Sequence, residues 1–278
     1  MAKTVLVTGA SGYIGRHVAE ELCRRGCKVY AVDVVNRGLP ADLEFLPGNI
    51  LSDDTFVDAL PDVDVVLHLA WMDGFKHNAP SHLSNLSAHY NFVRRLAEKG
   101  CRHIAVMGTM HEVGYHEGAI NEDTPCSPLS MYGIAKNALR EALFVEFANK
   151  PICFQWLRGF YIYGDDTFNH SIFTKILEAA KSGKKTFPFT SGKNKYDFMS
   201  VTQLAEMIAA VILQEKVAGI VNCCSGMPKS LGEVVETFIA DNKLDIKLDY
   251  GAYPDRPYDS PAIWGDAAKI KMIMENEK

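Results

Sequence analysis

The sequence contains no run of about eighteen apolar residues, the length at which a hydrophobic segment indicates a transmembrane helix. Its first residues, Met1 to Thr4, lead straight into a short apolar run and lack the charged and hydrophobic regions of a secretory signal peptide. From these two absences we expect a cytoplasmic protein that does not bind membranes.

The seven cysteines include no Cys-x-x-Cys pair, and their odd number argues against a disulfide framework. We therefore expect reduced and mostly buried thiols. Three of the nine histidines, His77, His82 and His89, lie close together in the sequence. Their spacing is loose for a metal site, and no set of carboxylates or thiolates converges on them. The sequence therefore predicts no bound metal.

The chain also lacks an excess of basic residues, because 29 lysines and arginines stand against 34 aspartates and glutamates, a formal net charge of −5. This balance argues against a general nucleic-acid binder but allows a local basic pocket for a phosphorylated ligand. The apolar fraction of 47% is typical of a globular protein. At 278 residues the chain is near the upper limit for one hydrophobic core, so we expect one large unit with a smaller C-terminal lobe.

Apolar runs of strand length alternate with amphipathic stretches of helix length, which is typical of βαβ units around a buried parallel sheet. Beyond Arg158 this alternation fades, and the connections become longer and richer in glycine and proline. We therefore predict an α/β fold, with a doubly wound parallel sheet over residues 1–165, to which some of the C-terminal chain returns, and a smaller substrate-binding lobe over residues 166–278. The predicted strands of the sheet are residues 4–7, 28–32, 44–46, 63–69, 103–107 and 152–157, and those of the lobe are residues 196–199 and 219–222.

A glycine-rich turn follows the first predicted strand. Gly9, Gly12 and Gly15 are spaced three apart, so that backbone amides can approach a pyrophosphate at the start of a helix. Asp33 ends the second predicted strand, where a carboxylate accepts ribose hydroxyls and repels a 2′-phosphate. Arg37 follows four residues later and leaves use of NADP(H) open. The pattern predicts a Rossmann-type site that favours NAD(H), formed by Gly9, Ser11, Gly12, Tyr13, Ile14, Gly15 and Asp33.

Tyr132 and Lys136 are four residues apart in a predicted helix, so their side chains share one helix face. A phenol has an ordinary pKa near 10 and exchanges protons poorly at neutral pH unless a cation stabilises the phenolate. Lys136 is in position to supply that cation. The spacing predicts a catalytic pair.

Thr109 directly follows the fifth predicted strand and therefore lies at the same sheet edge as the glycine turn. Its hydroxyl is predicted to donate a hydrogen bond to a substrate carbonyl. His111 and Glu112 come next, and each either faces the substrate or is solvated in the turn.

These clusters together resemble the extended short-chain dehydrogenase/reductase family over nearly the whole chain. The motifs that match are G-x-x-G-x-x-G at Gly9, Gly12 and Gly15, the acid at Asp33, the Ser/Thr position at Thr109, and Y-x-x-x-K at Tyr132 and Lys136. Less specific matches are Asn49-Ile50, His68-Leu69-Ala70, Asn85, and residues 158–164 and 256–259. The resemblance implies a Rossmann-type fold and cofactor contacts by Asn49, Ile50, Leu69, Ala70, Asn85, Tyr132 and Lys136.

The resemblance further implies hydride transfer between a nicotinamide and a sugar carbon, with Tyr132 as general acid or base. Lys136 would lower the pKa of that tyrosine and hold the nicotinamide ribose. This branch of the family acts mostly on nucleotide-diphosphate sugars. Met110-His111 follows Thr109, where the family's 4,6-dehydratases place Asp-Glu, and the chain is shorter than typical 4-epimerases. We therefore favour a ketoreductase that reduces a nucleotide-linked 4-keto-6-deoxyhexose with NADH or NADPH.

The predicted substrate residues depart from the family pattern at two positions. Tyr161 replaces an asparagine and Tyr196 replaces an arginine, both of which usually contact the nucleotide diphosphate. Lys195 and Arg256 supply cations that can neutralise a diphosphate. With His111, these residues form the predicted substrate site.

Three alternatives stay open at this stage: a nucleotide-sugar 4-epimerase, a hexuronate dehydrogenase, and a non-enzymatic dinucleotide sensor. Hexuronate dehydrogenases of the family also place a histidine two residues after the active-site Ser/Thr, as His111 stands to Thr109. The resemblance also implies a homodimer, in which two long helices, at about residues 84–99 and 131–149, pair between subunits.

Overall fold

Strands and helices alternate along the chain in the computed structural model, which describes residues 2–52, 55–164, 171–255 and 259–277. The strands are β1 (Thr4–Thr8), β2 (Lys28–Asp33), β3 (Glu44–Pro47), β4 (Val65–His68), β5 (His103–Thr109), β6 (Gly118–Ile120), β7 (Cys153–Gly159), β8 (Tyr161–Tyr163), β9 (Thr186–Pro188), β10 (Lys195–Tyr196), β11 (Phe198–Ser200), β12 (Gly219–Cys223), β13 (Lys229–Ser230), β14 (Lys247–Asp249) and β15 (Ala262–Gly265). The helices are α1 (Tyr13–Arg24), α2 (Phe56–Ala59), α3 (Ser81–Ser84), α4 (Leu86–Glu98), α5 (Met131–Phe147), α6 (Ile172–Lys181), α7 (Val201–Ile212), α8 (Leu231–Asp241) and α9 (Ala268–Glu275), and a 3₁₀ turn (Met110–Glu112) follows β5.

Within the described residues, the central sheet has seven strands in the order β3-β2-β1-β4-β5-β7-β12, and every pair of neighbours is parallel. The chain builds outward from β1 in one direction through β2 and β3, and from β4 in the other through β5 and β7. The order therefore reverses between β1 and β4, which opens a crevice at the carboxyl ends of these strands. This confirms the predicted Rossmann-type α/β fold.

The sheet strands are apolar because both of their faces are buried. Val5 and Val7 of β1 pack on the side of the sheet covered by α1, α7 and α9. Leu6, which points the opposite way, packs on the side of α4 and α5. Two hydrophobic cores thus hold the sheet edge that carries the crevice.

One strand lies elsewhere than predicted. Residues 219–222 were expected in the smaller lobe, but β12 pairs with β7 in the central sheet, with Val221 opposite Leu157. Val221 is fully buried in the same core as α7 and α9, so burial of apolar surface explains the placement.

The smaller unit combines short strands with two helices. Its sheets are the four-stranded β13-β10-β15-β6 and the two-stranded β11-β8 and β14-β9. A third core forms beneath α6 and α8 and includes Phe173, Ile176, Phe189, Val235 and Ile246. The dimer predicted from the helices that correspond to α4 and α5 stays a prediction.

Asp197, between β10 and β11, joins the two units. Its buried carboxylate accepts hydrogen bonds from the backbone N–H of Ser225 (2.8 Å), Gly226 (2.9 Å) and Gly265 (3.2 Å), and from the hydroxyl of Ser225 (2.6 Å). The first two residues follow β12 of the central sheet, while Gly265 ends β15. The carboxylate therefore satisfies four hydrogen-bond donors that would otherwise bind water.

We expect Asp197→Ala to lower the free energy of unfolding by about 3 kcal/mol or more, because buried donors left unsatisfied cost about 1–3 kcal/mol each. Urea denaturation measures the loss. Asp245→Asn is the matched control, since Asp245 forms an exposed ion pair with Lys185 and should leave the midpoint unchanged. An Asp197→Ala protein that unfolds at the wild-type urea concentration would contradict the role assigned to this carboxylate.

Candidate active site

The glycine turn between β1 and α1 forms the floor of the crevice. Gly9 has a φ of +69°, and its N–H donates to the carbonyl of Val32 (2.9 Å). A Cβ atom on Gly15 would lie 2.1 Å from the Gly9 carbonyl oxygen, so only glycine fits. Helix α1 begins after Gly12 without a side-chain cap, which leaves its first amides available to an anion. This cradle fits the pyrophosphate of a dinucleotide.

Asp33 lies beside this turn at the end of β2. Its carboxylate accepts hydrogen bonds from the N–H of Ser11 (2.9 Å) and of Val34 (2.7 Å). The backbone of Arg37 also reaches the turn, because its N–H donates to the Ser11 hydroxyl (3.3 Å). The negative charge at this point suits ribose hydroxyls and disfavours a 2′-phosphate.

The other predicted cofactor residues are distributed around the ends of β1, β3 and β4. Ala70, which follows Leu69 after β4, lies against the turn, since a Cβ on Gly9 would be 2.6 Å from its nitrogen. After β3, the Asn49 side chain accepts from the N–H of Leu51, and Ile50 is buried in the second core. In the first turn of α1, the Tyr13 hydroxyl donates to the Gly164 carbonyl, and Ile14 packs on the first core. Asn85 precedes α4, and its side-chain amide lies near the sulfur of Met72.

Tyr132 and Lys136 occupy the first turns of α5, which begins after Ser130, whose hydroxyl accepts from the N–H of Gly133 (3.1 Å). Lys136 is 3% exposed, and its ammonium donates to the Met107 carbonyl of β5 (2.7 Å). The Nζ atom also lies 3.8 Å from the centre of the Trp71 ring. Burial lowers the pKa of Lys136 to about 7, against a smaller opposite effect of the Glu112 carboxylate.

The phenol of Tyr132 is held in its protonated form. Burial raises its pKa to about 12, and a hydrogen bond with the Thr109 side chain lowers it only in part. The Lys136 ammonium contacts the Met107 carbonyl and the Trp71 ring, and its predicted lowering of the pKa of Tyr132 stays a prediction. At neutral pH the arrangement therefore offers a proton donor.

Thr109 ends β5 and is buried, with its hydroxyl accepting from the N–H of His111 (3.3 Å). Its own N–H donates to Oε1 of Glu112 (2.7 Å), which completes a capping box. The hydroxyl thus lies between the 3₁₀ turn and the phenol of Tyr132.

Glu112 neither faces a substrate nor is solvated, so both expectations for it were wrong. Its fully buried carboxylate also accepts from the indole N–H of Trp156 (2.9 Å). It lies 3.4 Å from a guanidinium nitrogen of Arg140 and 3.6 Å from one of Arg158. The Thr-x-x-Glu spacing is the signal that could have identified this structural role.

His111 borders Tyr132. The centre of its ring lies 6.1 Å from that of Tyr132, 4.5 Å from that of His77 and 6.3 Å from that of Tyr161. Burial lowers the pKa of His111 to about 4, so its imidazole is neutral at physiological pH. The rings of Tyr161 and Tyr196 lie 4.3 Å apart. These side chains form a continuous aromatic wall, defined as His111, Tyr161 and Tyr196, that leads away from Tyr132.

Of the two predicted cations, Lys195 lies in the described part of the chain, apart from this wall. Lys195 precedes Tyr196 on β10 and is exposed, and it lines a groove of about 750 Å³ with Lys193, Glu233 and Tyr250. Successive strand residues point to opposite faces, which separates Lys195 from the ring of Tyr196. Arg256 lies outside the described residues. Within the described ranges, no three acidic, histidine or cysteine side chains cluster to hold a metal, and no helix is long and apolar enough to cross a bilayer.

Comparison with known proteins places this geometry in context. The model of a family described as the NAD dependent epimerase/dehydratase family matches residues 5–224. The dTDP-6-deoxy-L-talose 4-dehydrogenase (NAD(+)) of Aggregatibacter actinomycetemcomitans is 47% identical over 268 residues, which are 94% of this chain and 98% of that protein.

Two solved structures share the fold. MoeE5 in complex with UDP-glucose and NAD is 24% identical, with a TM-score of 0.82 and coverage of 98% of this chain and 92% of the other. The UDP-glucose 4-epimerase of Thermus thermophilus in complex with NAD is 21% identical, with a TM-score of 0.80 and coverage of 97% and 92%.

Removing the Glu112 carboxylate should destabilise the protein strongly. We expect Glu112→Ala to lower the free energy of unfolding by about 3–5 kcal/mol, because it removes the carboxylate beside the fully buried guanidinium of Arg158 and leaves Arg140 with Glu141 alone. Glu112→Gln retains an oxygen for the Thr109 and Trp156 donors and should lose less. The measurement is urea denaturation, with Glu141→Gln as control because Glu141 meets Arg140 at the surface. Equal midpoints for Glu112→Ala and Glu141→Gln would refute this account.

Proposed function

The chain belongs to the NAD dependent epimerase/dehydratase family, and from this premise we propose that it interconverts the C4 ketone and the C4 hydroxyl of a dTDP-linked 6-deoxyhexose, with NAD(H) as coenzyme. Family membership confirms the predicted resemblance and enzyme class. The observation that carries the proposal is the meeting of Thr109, Tyr132 and Lys136 at the end of β5. The substrate class is supported by the relative that is 47% identical over nearly its whole length.

Tyr132 and Thr109 carry the proton chemistry of the proposed reaction. When bound, NADH would supply a hydride to the substrate carbon. The protonated phenol of Tyr132 then gives its proton to the C4 oxygen, and the Thr109 hydroxyl donates a hydrogen bond to the same oxygen. Hydride and proton together convert the ketone to the alcohol. In the reverse direction Tyr132 removes the hydroxyl proton.

Lys136 stabilises the phenolate that remains after Tyr132 has given up its proton. A charged ammonium one helical turn away lowers the free energy of that phenolate. The pKa of Lys136, about 7, allows both protonation states near neutral pH. The lysine therefore assists reduction most while it is protonated.

The glycine turn and Asp33 support NAD(H) as the preferred coenzyme. The uncapped amides at the start of α1 suit the pyrophosphate, and the carboxylate of Asp33 suits unmodified ribose hydroxyls. We assign the hexose to the aromatic wall, where the neutral imidazole of His111 and the phenol of Tyr161 can exchange hydrogen bonds with sugar hydroxyls, while the buried ring of Tyr196 packs on that of Tyr161. Diphosphate contacts by Lys195 and Arg256 stay a prediction.

The reaction is tested by comparing substrates while the absorbance of the reduced nicotinamide is followed. The proposal expects NADH oxidation with a dTDP-4-keto-6-deoxyhexose and NAD⁺ reduction with dTDP-6-deoxy-L-talose. If only free hexuronates reduce NAD⁺, the protein is a hexuronate dehydrogenase and the proposal is wrong. If a dTDP-hexose is converted to its 4-epimer without net oxidation or reduction of the nicotinamide, the protein is a 4-epimerase and the proposal is wrong.

Tyr132→Phe removes the proposed proton donor but keeps the ring. We expect turnover to fall by about 10²–10⁴-fold, the typical worth of one general acid, while the Kd for NADH stays nearly unchanged. Steady-state kinetics and fluorescence titration measure the two quantities. The control is Tyr115→Phe, which should behave like the wild type, because Tyr115 is exposed and its hydroxyl donates a hydrogen bond to Glu117. Wild-type turnover in Tyr132→Phe would eliminate the assignment.

Asp33→Asn tests the coenzyme preference. The amide keeps an oxygen that can accept from Ser11, but it loses the charge that binds ribose hydroxyls and repels a 2′-phosphate. We expect the ratio of kcat/KM for NADH to that for NADPH to fall by about tenfold or more, since hydrogen bonds to charged groups contribute about 1.5–3 kcal/mol. The control is Asp42→Asn, because the carboxylate of Asp42 lines a separate groove beside α1. An unchanged ratio in Asp33→Asn would remove Asp33 from coenzyme selection.

A further inference from the structure

The segment after β4, from Trp71 to His82, contacts both members of the Tyr132 and Lys136 pair. At one end the Trp71 ring lies against the Lys136 ammonium. Further along, the ring of His77 stacks on that of Tyr132, with centres 5.5 Å apart and planes 15° apart. No motif in the sequence marks this segment, and the reaction proposed above does not use it.

The segment also accepts two hydrogen bonds from the backbone at the start of α5. The carbonyl of His77 accepts from the N–H of Tyr132 (2.8 Å), and the side-chain oxygen of Asn78 accepts from the N–H of Met131 (3.2 Å). These N–H groups belong to the first turn of the helix, where no intrahelical acceptor exists. The segment and the helix are therefore fixed relative to each other on the side that carries Tyr132.

Trp71 is itself held on two sides. Its indole N–H donates to Nδ1 of His82 (3.0 Å), and Nε2 of His82 lies 3.0 Å from the Lys76 carbonyl. Because the indole nitrogen is only a donor, Nδ1 accepts and Nε2 carries the proton that bonds the carbonyl. The ring also stacks on His89, with centres 4.4 Å apart and planes 12° apart. The face presented to Lys136 is thus fixed in position.

We propose that Trp71 is a positioning residue, whose ring face holds the Lys136 ammonium in its charged form one helical turn from Tyr132. The inference rests on the proposed function in that it takes Lys136 as the partner of the catalytic phenol. An ammonium has three N–H donors, and the Met107 carbonyl together with the Trp71 ring accounts for two of them. Tryptophan is the side chain that attracts a cation most strongly through its ring.

The surroundings of Lys136 leave few other groups to favour its charge. Glu112 attracts the ammonium from the turn after β5. His68 of β4 and His89 of α4 are neutral, because burial lowers the pKa of His68 well below its ordinary value and that of His89 to about 3. Tyr132 faces it from its own helix. Trp71 and Glu112 therefore offset the cost of burying the ammonium.

The inference is tested without substrate, by NMR titration of protein labelled with ¹³C at lysine Cε. The Lys136 resonance is the one absent from Lys136→Met, and we expect its low pKa, about 7, to separate its midpoint from those of ordinary lysines. Trp71→Leu should lower this midpoint by about one pH unit, the equivalent of a desolvated cation–π contact, and Trp71→Phe should lower it less. Phe75→Leu is the control, because Phe75 is an exposed aromatic of the same segment that packs on Tyr13.

A midpoint for Lys136 that is the same in Trp71→Leu and in wild type would overturn the inference. If Trp71→Leu does not fold, as judged by circular dichroism, Trp71→Phe decides in the same way: a lowered midpoint supports the role and an unchanged one contradicts it. Because the titration needs no sugar, it stands whether or not the substrate comparison succeeds. An active enzyme with an unshifted Lys136 would refute this inference alone.

A kinetic readout distinguishes positioning from general stability. Because Lys136 assists reduction while it is protonated, the pH at which ketone reduction falls to half its maximum should be lower in Trp71→Leu than in wild type and intermediate in Trp71→Phe. A merely structural role would lower the rate at all pH values and leave the half-maximal pH in place, which would contradict the proposal.

Discussion

The hydrogen bond from the Lys136 ammonium to the Met107 carbonyl is the contact on which the site depends. It joins α5 to β5 two residues before that strand ends at Thr109. Because β5, β4 and β1 are neighbours in a parallel sheet, the same contact holds the helix with Tyr132 at the sheet edge that also carries the glycine turn. The price of the arrangement is a buried ammonium, which the protein offsets with the Glu112 carboxylate and the Trp71 ring.

Burial determines the protonation states in this region. It raises the pKa of Tyr132 and lowers those of Lys136 and His111, so the site combines a protonated phenol, a lysine near its midpoint and a neutral imidazole. A protonated phenol is ready to donate to a ketone. In the reaction we propose, reduction therefore suits neutral pH, and oxidation of the alcohol is favoured as the pH rises.

Local patterns in the sequence were enough to predict the sheet, the glycine turn and the helix that carries Tyr132 and Lys136, because each depends on residues close together in the chain. Contacts between distant residues could not be predicted in this way. Trp71 and Lys136 are brought together only by the packing of α5 on the sheet, and Val221 of β12 joins the first core by the return of a late segment. Glu112 carried a local signal, the capping box, but its two buried arginine partners come from α5 and β7.

A crystal structure of the Tyr132→Phe protein with NAD⁺ and dTDP-6-deoxy-L-talose tests the central claim most directly. The account predicts that the sugar's C4 oxygen lies within hydrogen-bond distance of the Thr109 hydroxyl and next to the ring at position 132. It also predicts that the ammonium of Lys136 keeps its bond to the Met107 carbonyl. A complex in which the C4 oxygen binds elsewhere, with another sugar carbon or the diphosphate beside Thr109, would contradict it.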